Sequence, residues 1–199
     1  MSGKIYIEGG GDSKELHARC REGFRKLLEK CGFGRRMPRL VACGGRRATF
    51  DDFSTAHTNA VTGAYVAMLV DSEEPMKDIE QAWAHLKQHD GWAQPAGASD
   101  EQVLLMTTCM ESWIASDRQS LRSYFPACLN ENALPALTNM ETRAHDAVHD
   151  ALVRATRKCK TPYAKGKQSF EIVGRLDPTV MRQHLPSFAR CERVLRARL

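Results

Sequence analysis

The chain has no run of about 18 apolar residues, so a hydrophobic helix that crosses a bilayer is not expected. It also has no C-x-x-C pair. Cys20, Cys31, Cys43, Cys109, Cys128, Cys159 and Cys191 are odd in number and scattered, so neither disulfides nor a thiolate zinc site is expected. Most of them fall on apolar faces, where a free thiol acts as a small hydrophobe. The G-x-x-x-x-G-K-[ST] loop of NTPases and the spacing of a dinucleotide fingerprint are both missing around Gly9-Gly10-Gly11, which argues against ATP or NAD binding there. Met1 to Lys4 shows no basic stretch, long apolar segment or small-residue cleavage site, so a secretory signal is not expected and a cytoplasmic location is. Repeats, low-complexity stretches and linkers are missing as well, and 199 residues suit a single domain.

What is present is an ordinary globular composition, 42% hydrophobic and 27% charged. The net charge of +5 is unevenly spread: residues 1–100 carry 14 basic and 14 acidic groups, whereas residues 101–199 carry 15 and 10. Arg154, Arg157, Lys158, Lys160, Lys165 and Lys167 fall within fourteen residues that contain no acid. Such a stretch suits a polyanion such as a nucleic-acid backbone, with a solvated basic helix end as the plain alternative.

Lys4 to Ile7 reads as a short strand, and the glycines after it allow a tight turn into a helix. Asp12 and Glu15 look like a capping pair for that helix, whose buried face is Leu16, Cys20, Phe24, Leu27, Leu28 and Cys31, stopped by Gly32. A second strand over 39–43 leads through Gly44-Gly45 into a helix near 48–56. Tyr65 to Val70 is continuously apolar, as expected in the middle of a parallel sheet. Residues 76–101 read as a helix and a loop, and 103–107 as a fourth strand passing quickly into a helix that contains Glu111, Trp113, Ile114 and Asp117. From about residue 120 the pattern is helical, with an apolar stripe over Ala144, Ala147, Val148, Ala151, Leu152 and Ala155, and with Pro178 and Pro186 punctuating the last helices. The expectation is a three-layer α/β fold with four mostly parallel strands, an α/β core over about 1–119, and extra C-terminal helices over about 120–199.

In open parallel sheets the loops after the carboxyl ends of the strands gather on one edge, where ligands usually bind. Glu8, Asp71, Glu73 and Glu111 follow three of the four expected strands. Any one of them alone would read as a helix cap or a solvated loop residue. Together they would repel unless cations neutralised them, and hard oxygen ligands suit magnesium or manganese.

Glu8 at the end of one strand and Asp71-Ser72-Glu73 at the end of a later one resemble the Toprim domain of primases, topoisomerases and overcoming-lysogenization-defect nucleases. Five segments in order resemble the bacterial family called domain of unknown function 4276: Ile-Tyr-Ile-Glu-Gly-Gly-Gly-Asp-Ser-Lys, Val-Ala-Cys-Gly-Gly-Arg, Leu-Val-Asp-Ser-Glu-Glu-Pro, Cys-Met-Glu-Ser-Trp and Lys-Gly-Lys-Gln-Ser-Phe-Glu-Ile. The Toprim resemblance implies Glu8 as general acid or base and Asp71 and Glu73 as metal ligands, with Glu111 and Asp117 completing the shell. Glu73 departs from the aspartate of many Toprim proteins, which leaves open one ion or two. Toprim-like relatives in bacterial and phage conflict systems imply cleavage of DNA or RNA, often beside an ATPase partner. On this reading Lys165, Lys167 or Arg46 would stabilise charge developing on a phosphodiester. Lys165 and Lys167 read equally as solvated loop residues, and a non-catalytic binding subunit or a small-molecule phosphohydrolase remains as an alternative function.

His145 and His149 share one helical face in H-D-x-x-H, as do His85 and His89 four residues apart, but no third ligand is evident and zinc is not expected at either pair. Trp83, Trp92 and Trp113 read as packing residues.

Overall fold

The computed structural model describes residues 3–199; the sequence expectation about Met1 and Ser2 lies outside them. Four strands, β1 (Gly3–Glu8), β2 (Arg39–Gly44), β3 (Tyr65–Asp71) and β4 (Val103–Met106), pair in the order β2-β1-β3-β4. All three pairings are parallel, with Ile7 beside Ala42 and Leu69, and Asp71 beside Met106. The α/β class and the parallel four-stranded sheet are those expected from the apolar segments.

Period-2 alternation sorts the strand side chains into two apolar layers. Ile5, Ile7, Ala67, Leu69, Leu104 and Met106 point to one face. Tyr6, Val66, Met68, Val70, Val103 and Leu105 point to the other. The second face is covered by α2 (Arg46–Thr58) and α3 (Ala82–Asp90), through Phe53, Trp83 and Leu86. The first carries the larger layer, built from α1 (Lys14–Leu28), α4 (Met110–Ser116), α5 (Arg118–Tyr124), α6 (His145–Thr156), α7 (Lys167–Val173), α8 (Pro178–His184) and α9 (Pro186–Arg198). Among the described residues no strand follows β4, and no helix is long and apolar enough to cross a membrane.

Several local expectations need correction. The N-cap of α1 is Ser13, whose hydroxyl accepts the Leu16 N–H, and Asp12 is exposed. The stripe on α6 is narrower than expected: Val148, Ala151, Leu152 and Ala155 are buried, whereas Ala144 precedes the helix, which begins at His145, and Ala147 in its first turn is exposed. Cys128 and Cys159 form a disulfide, contrary to the expectation of none. They lie 31 residues apart in the segments after α5 and α6, and their Cα atoms come to 5.1 Å where the chain near Asn130, whose N–H donates to the Ala155 carbonyl at 2.8 Å, packs on the end of α6.

Candidate metal centre

The chain leaves β1 through α1 toward β2 at one side of the sheet, and leaves β3 through α3 toward β4 at the other. Helices α1 and α3 lie on opposite faces, so the crevice between β1 and β3 opens at their carboxyl ends. Glu8 and Asp71 are the last residues of those two strands. The turn after β1 stays tight because Gly9 and Gly44 exchange backbone hydrogen bonds of 2.8 and 3.0 Å. Gly44 has φ +83°, and a Cβ there would come within 2.5 Å of the Gly11 carbonyl, so glycine is required at this approach.

Carboxylate oxygens of Glu8, Asp71 and Glu73 lie within 4.8 Å of one another. The Asp71 N–H donates to Glu8 Oε2 at 3.1 Å, and the Met110 N–H at the start of α4 donates to Asp71 Oδ1 at 2.9 Å. Glu73 has φ +63°, in the left-handed region where a residue other than glycine costs about 1–3 kcal/mol. Its N–H donates to the Thr108 carbonyl at 2.8 Å, which ties this strained residue to the end of β4.

Burial raises the pKa of Asp71 well above the usual aspartate value, reinforced by the charges of Glu8, Glu111 and Glu73 and partly offset by Lys165. Burial raises Glu8 as well, against the Arg46 guanidinium and the Asp71 N–H, with Glu73 adding to the rise. Acids held together at this cost form a seat for positive charge, and an all-oxygen donor set fits magnesium or manganese.

Two further sides enclose the cluster. Arg46, at the start of α2, donates from Nε and an Nη to the two oxygens of Asp90 at 2.8 and 2.7 Å. It also donates to the Asp71 carbonyl, lies 3.6 Å from Glu8 Oε2, and rests over the Trp92 ring. On the opposite side, Glu111 is 1% exposed and accepts the Tyr163 hydroxyl at 2.9 Å. Lys165 Nζ is 3.8 Å from Glu111 and 3.1 Å from His145 Nε2, while His145 Nδ1 is 2.9 Å from Glu73 Oε2.

The model of one protein family, "Domain of unknown function (DUF4276)", matches residues 7–196. The chain belongs to this family. The matched range contains every residue of the cluster, from Glu8 to Lys165, together with the C-terminal helices that enclose it. No curated protein and no solved structure matches the chain.

Glu8, Asp71 and Glu73 are thus brought together, with Glu111, Lys165 and Arg46 around them. Asp117, assigned by the resemblance to the same shell, is not among them. It sits between α4 and α5, 1% exposed, and accepts the Ser120 N–H at 3.0 Å, the Ser120 hydroxyl at 2.7 Å and the Asp177 N–H at 2.9 Å. Lys167 faces Glu171 on its own helix at 4.0 Å. Arg154, Arg157, Lys158 and Lys160 are exposed at the far end of α6. Arg154 stands about 14 Å along the helix axis from His145, at 1.5 Å per residue.

Asp90, Cys109, His145 and Tyr163 were missed as members of this centre. For His145 the signal was present in the H-D-x-x-H spacing, but its partners come from β3 and α4 and no local pattern announces them. The three tryptophans are buried as expected, Trp92 stacked on Phe50 with centroids 4.5 Å apart.

Proposed function

We propose that this protein is a divalent-metal-dependent nuclease cleaving phosphodiesters of DNA or RNA, with a Toprim-like core, acting in the cytoplasm of a bacterium within a defence or mobile-element module. The observation that carries this reading is the convergence of Glu8, Asp71 and Glu73 within 4.8 Å at the crevice between oppositely connected strands. Asp71 and Glu73 are the ligands of magnesium or manganese, with Glu111 behind them. A bound ion of this kind polarises a phosphodiester and lowers the pKa of water at the site.

The side chains divide the remaining work. Glu8, whose pKa burial raises above the ordinary glutamate value, is the group placed to take or return a proton. Lys165 is 49% exposed beside the cluster and offers its ammonium to oxygens of the reacting phosphate. Arg46 is committed to Asp90 and the Asp71 carbonyl, so it screens Glu8 and fixes the crevice rather than reaching for substrate. The exposed bases at the far end of α6, with Lys167, hold the nucleic-acid backbone away from the reacting bond. An ATPase partner would supply remodelling of the substrate.

The test is cleavage of single- and double-stranded DNA and RNA with magnesium or manganese, together with melting curves. Glu8→Gln and Asp71→Asn should each abolish cleavage and shrink the metal-induced rise in melting temperature while leaving the fold intact. Intact cleavage in both variants overturns the reading.

The second reading is a non-catalytic nucleic-acid- or ATPase-binding subunit. What favours it is that Glu8 and Asp71 each accept a backbone N–H, from Asp71 and Met110, as capping groups do. Wild-type protein that shows no metal-induced shift and no cleavage, but retains salt-sensitive binding, would establish it.

A further inference from the structure

We propose that Cys109, Glu111 and His145, with His149 beside them, form a second cation site that takes a zinc-class transition ion. It lies next to the oxygen-only cluster but differs from it in chemistry, and it does not depend on that cluster binding magnesium.

One ligand atom each from Cys109, Glu111 and His145 lies within 4.8 Å of the other two. Tetrahedral zinc with bonds of about 2.0–2.3 Å places its ligand atoms about 3.3–3.8 Å apart, so a small inward turn of the side chains closes them on an ion. Thiolate, imidazole and carboxylate together favour zinc over magnesium, which prefers oxygen and holds its waters.

The surroundings of His145 are those of a metal ligand's outer shell. A ligating imidazole usually donates its second ring N–H to a carboxylate, which fixes the tautomer and leaves the other nitrogen for the ion. Here Nδ1 is 2.9 Å from Glu73 Oε2, leaving Nε2 as the acceptor. Nε2 meets a cation already: Lys165 Nζ at 3.1 Å, itself 3.8 Å from Glu111 Oε1. The ammonium thus occupies the position between imidazole and buried carboxylate that a metal would take. At 49% exposure on a loop, Lys165 can swing out to make room.

His149 is an independent sign. It lies one turn beyond His145 on α6, the i,i+4 spacing with which two imidazoles of one helix hold zinc. Its Nδ1 is buried with no hydrogen-bond partner and lies 3.8 Å from Glu111 Oε1. A buried nitrogen without a partner is destabilising, and coordination would satisfy it. A thiol must give up its proton to ligate, so the ion releases the Cys109 proton to solvent and binds more tightly at higher pH.

The experiment titrates the chelator-stripped full chain with cobalt(II), a visible stand-in for zinc, and displaces it with zinc. Cobalt held at this site should give a thiolate-to-metal absorption band, which an ion in the oxygen-only cluster cannot give. Cys109→Ser should remove that band, and His145→Ala should weaken binding roughly tenfold or more. Lys165→Met should tighten it by removing the competing ammonium. Glu8→Gln, which reports on the neighbouring oxygen cluster, should leave band and affinity unchanged, so failure of the magnesium reading and failure of this one are distinguishable. If Cys109→Ser does not fold, the half-buried His145→Ala carries the test. A wild-type protein saturated with cobalt without the band, or a His145→Ala protein that melts normally and binds cobalt as wild type does, overturns the proposal.

Discussion

Asp71, half-buried, and Asp117, buried, both sit at the ends of secondary-structure elements, yet they do opposite things. Asp117 accepts three hydrogen bonds and joins three stretches of chain: the end of α4, the first turn of α5 and the start of α8. Asp71 accepts one N–H, from Met110, and faces Glu8, Glu73 and Glu111. A buried acid is therefore not in itself a sign of function. What separates the two is whether the oxygens are already satisfied by donors or are left facing other acids.

The contrast can be broken most directly at Asp117. Its replacement by alanine leaves the Ser120 and Asp177 N–H groups without that acceptor, while the Ser120 hydroxyl keeps the Arg175 carbonyl at 3.1 Å, and should cost about 3 kcal/mol of stability in urea unfolding. A loss below about 1 kcal/mol would erase the distinction. Glu141 sharpens it as an intermediate case, half-buried and satisfied only by Ser187, with its pKa pushed up to about 7 by desolvation. A raised carboxylate pKa means that the folded chain binds more protons than the unfolded one between about 4.5 and 7, so stability falls as pH rises through that window. Glu141→Gln should reduce the dependence and stabilise the protein at pH 8 by up to about 3 kcal/mol. Melting curves at pH 4.5 and pH 8 that differ as much in the variant as in wild type would speak against it.

Asp71→Asn should have the opposite sign to Asp117→Ala. The metal-free variant should melt about 2–4 °C higher, the shift that accompanies about 1 kcal/mol in a domain of this size, because one of four mutually repelling acids is gone. By the same sign rule, metal-free wild type should lose stability as pH rises above the usual carboxylate range, and Asp71→Asn should lose less. A variant that melts lower, like Asp117→Ala, would make Asp71 a cap. The smallest effect on stability is expected at Arg154, Arg157, Lys158 and Lys160, all exposed. Joint replacement by alanine should leave melting unchanged and lower the salt slope of nucleic-acid binding by about one unit for each phosphate no longer neutralised. An unchanged slope would rule the patch out as a binding surface for the backbone.

The four strands, their order in the chain and the two-sided burial of β3 were legible because apolar runs bounded by glycine and acid have few other readings. Glu8, Asp71 and Glu73 were legible for the same reason: in a parallel sheet, an acid that follows a strand reaches the same edge as every other such acid. The sequence by itself thus determined the sheet, the edge where its strands' carboxyl ends gather and three of the acids upon it.

Only the tertiary structure decided which remaining acids, histidines and cysteines join them. Asp117 follows the same strand as Glu111, six residues further on, but the short helix α4 turns Glu111 toward the cluster and carries Asp117 away to the start of α8. His145, Tyr163 and Lys165 come from α6 and the loop after it, and the Cys128–Cys159 disulfide joins chain 31 residues apart. Periodicity reports which face of an element is buried, because that depends on residues three or four apart. Which other element the face meets depends on how whole helices pack, and that packing leaves no local mark in the chain.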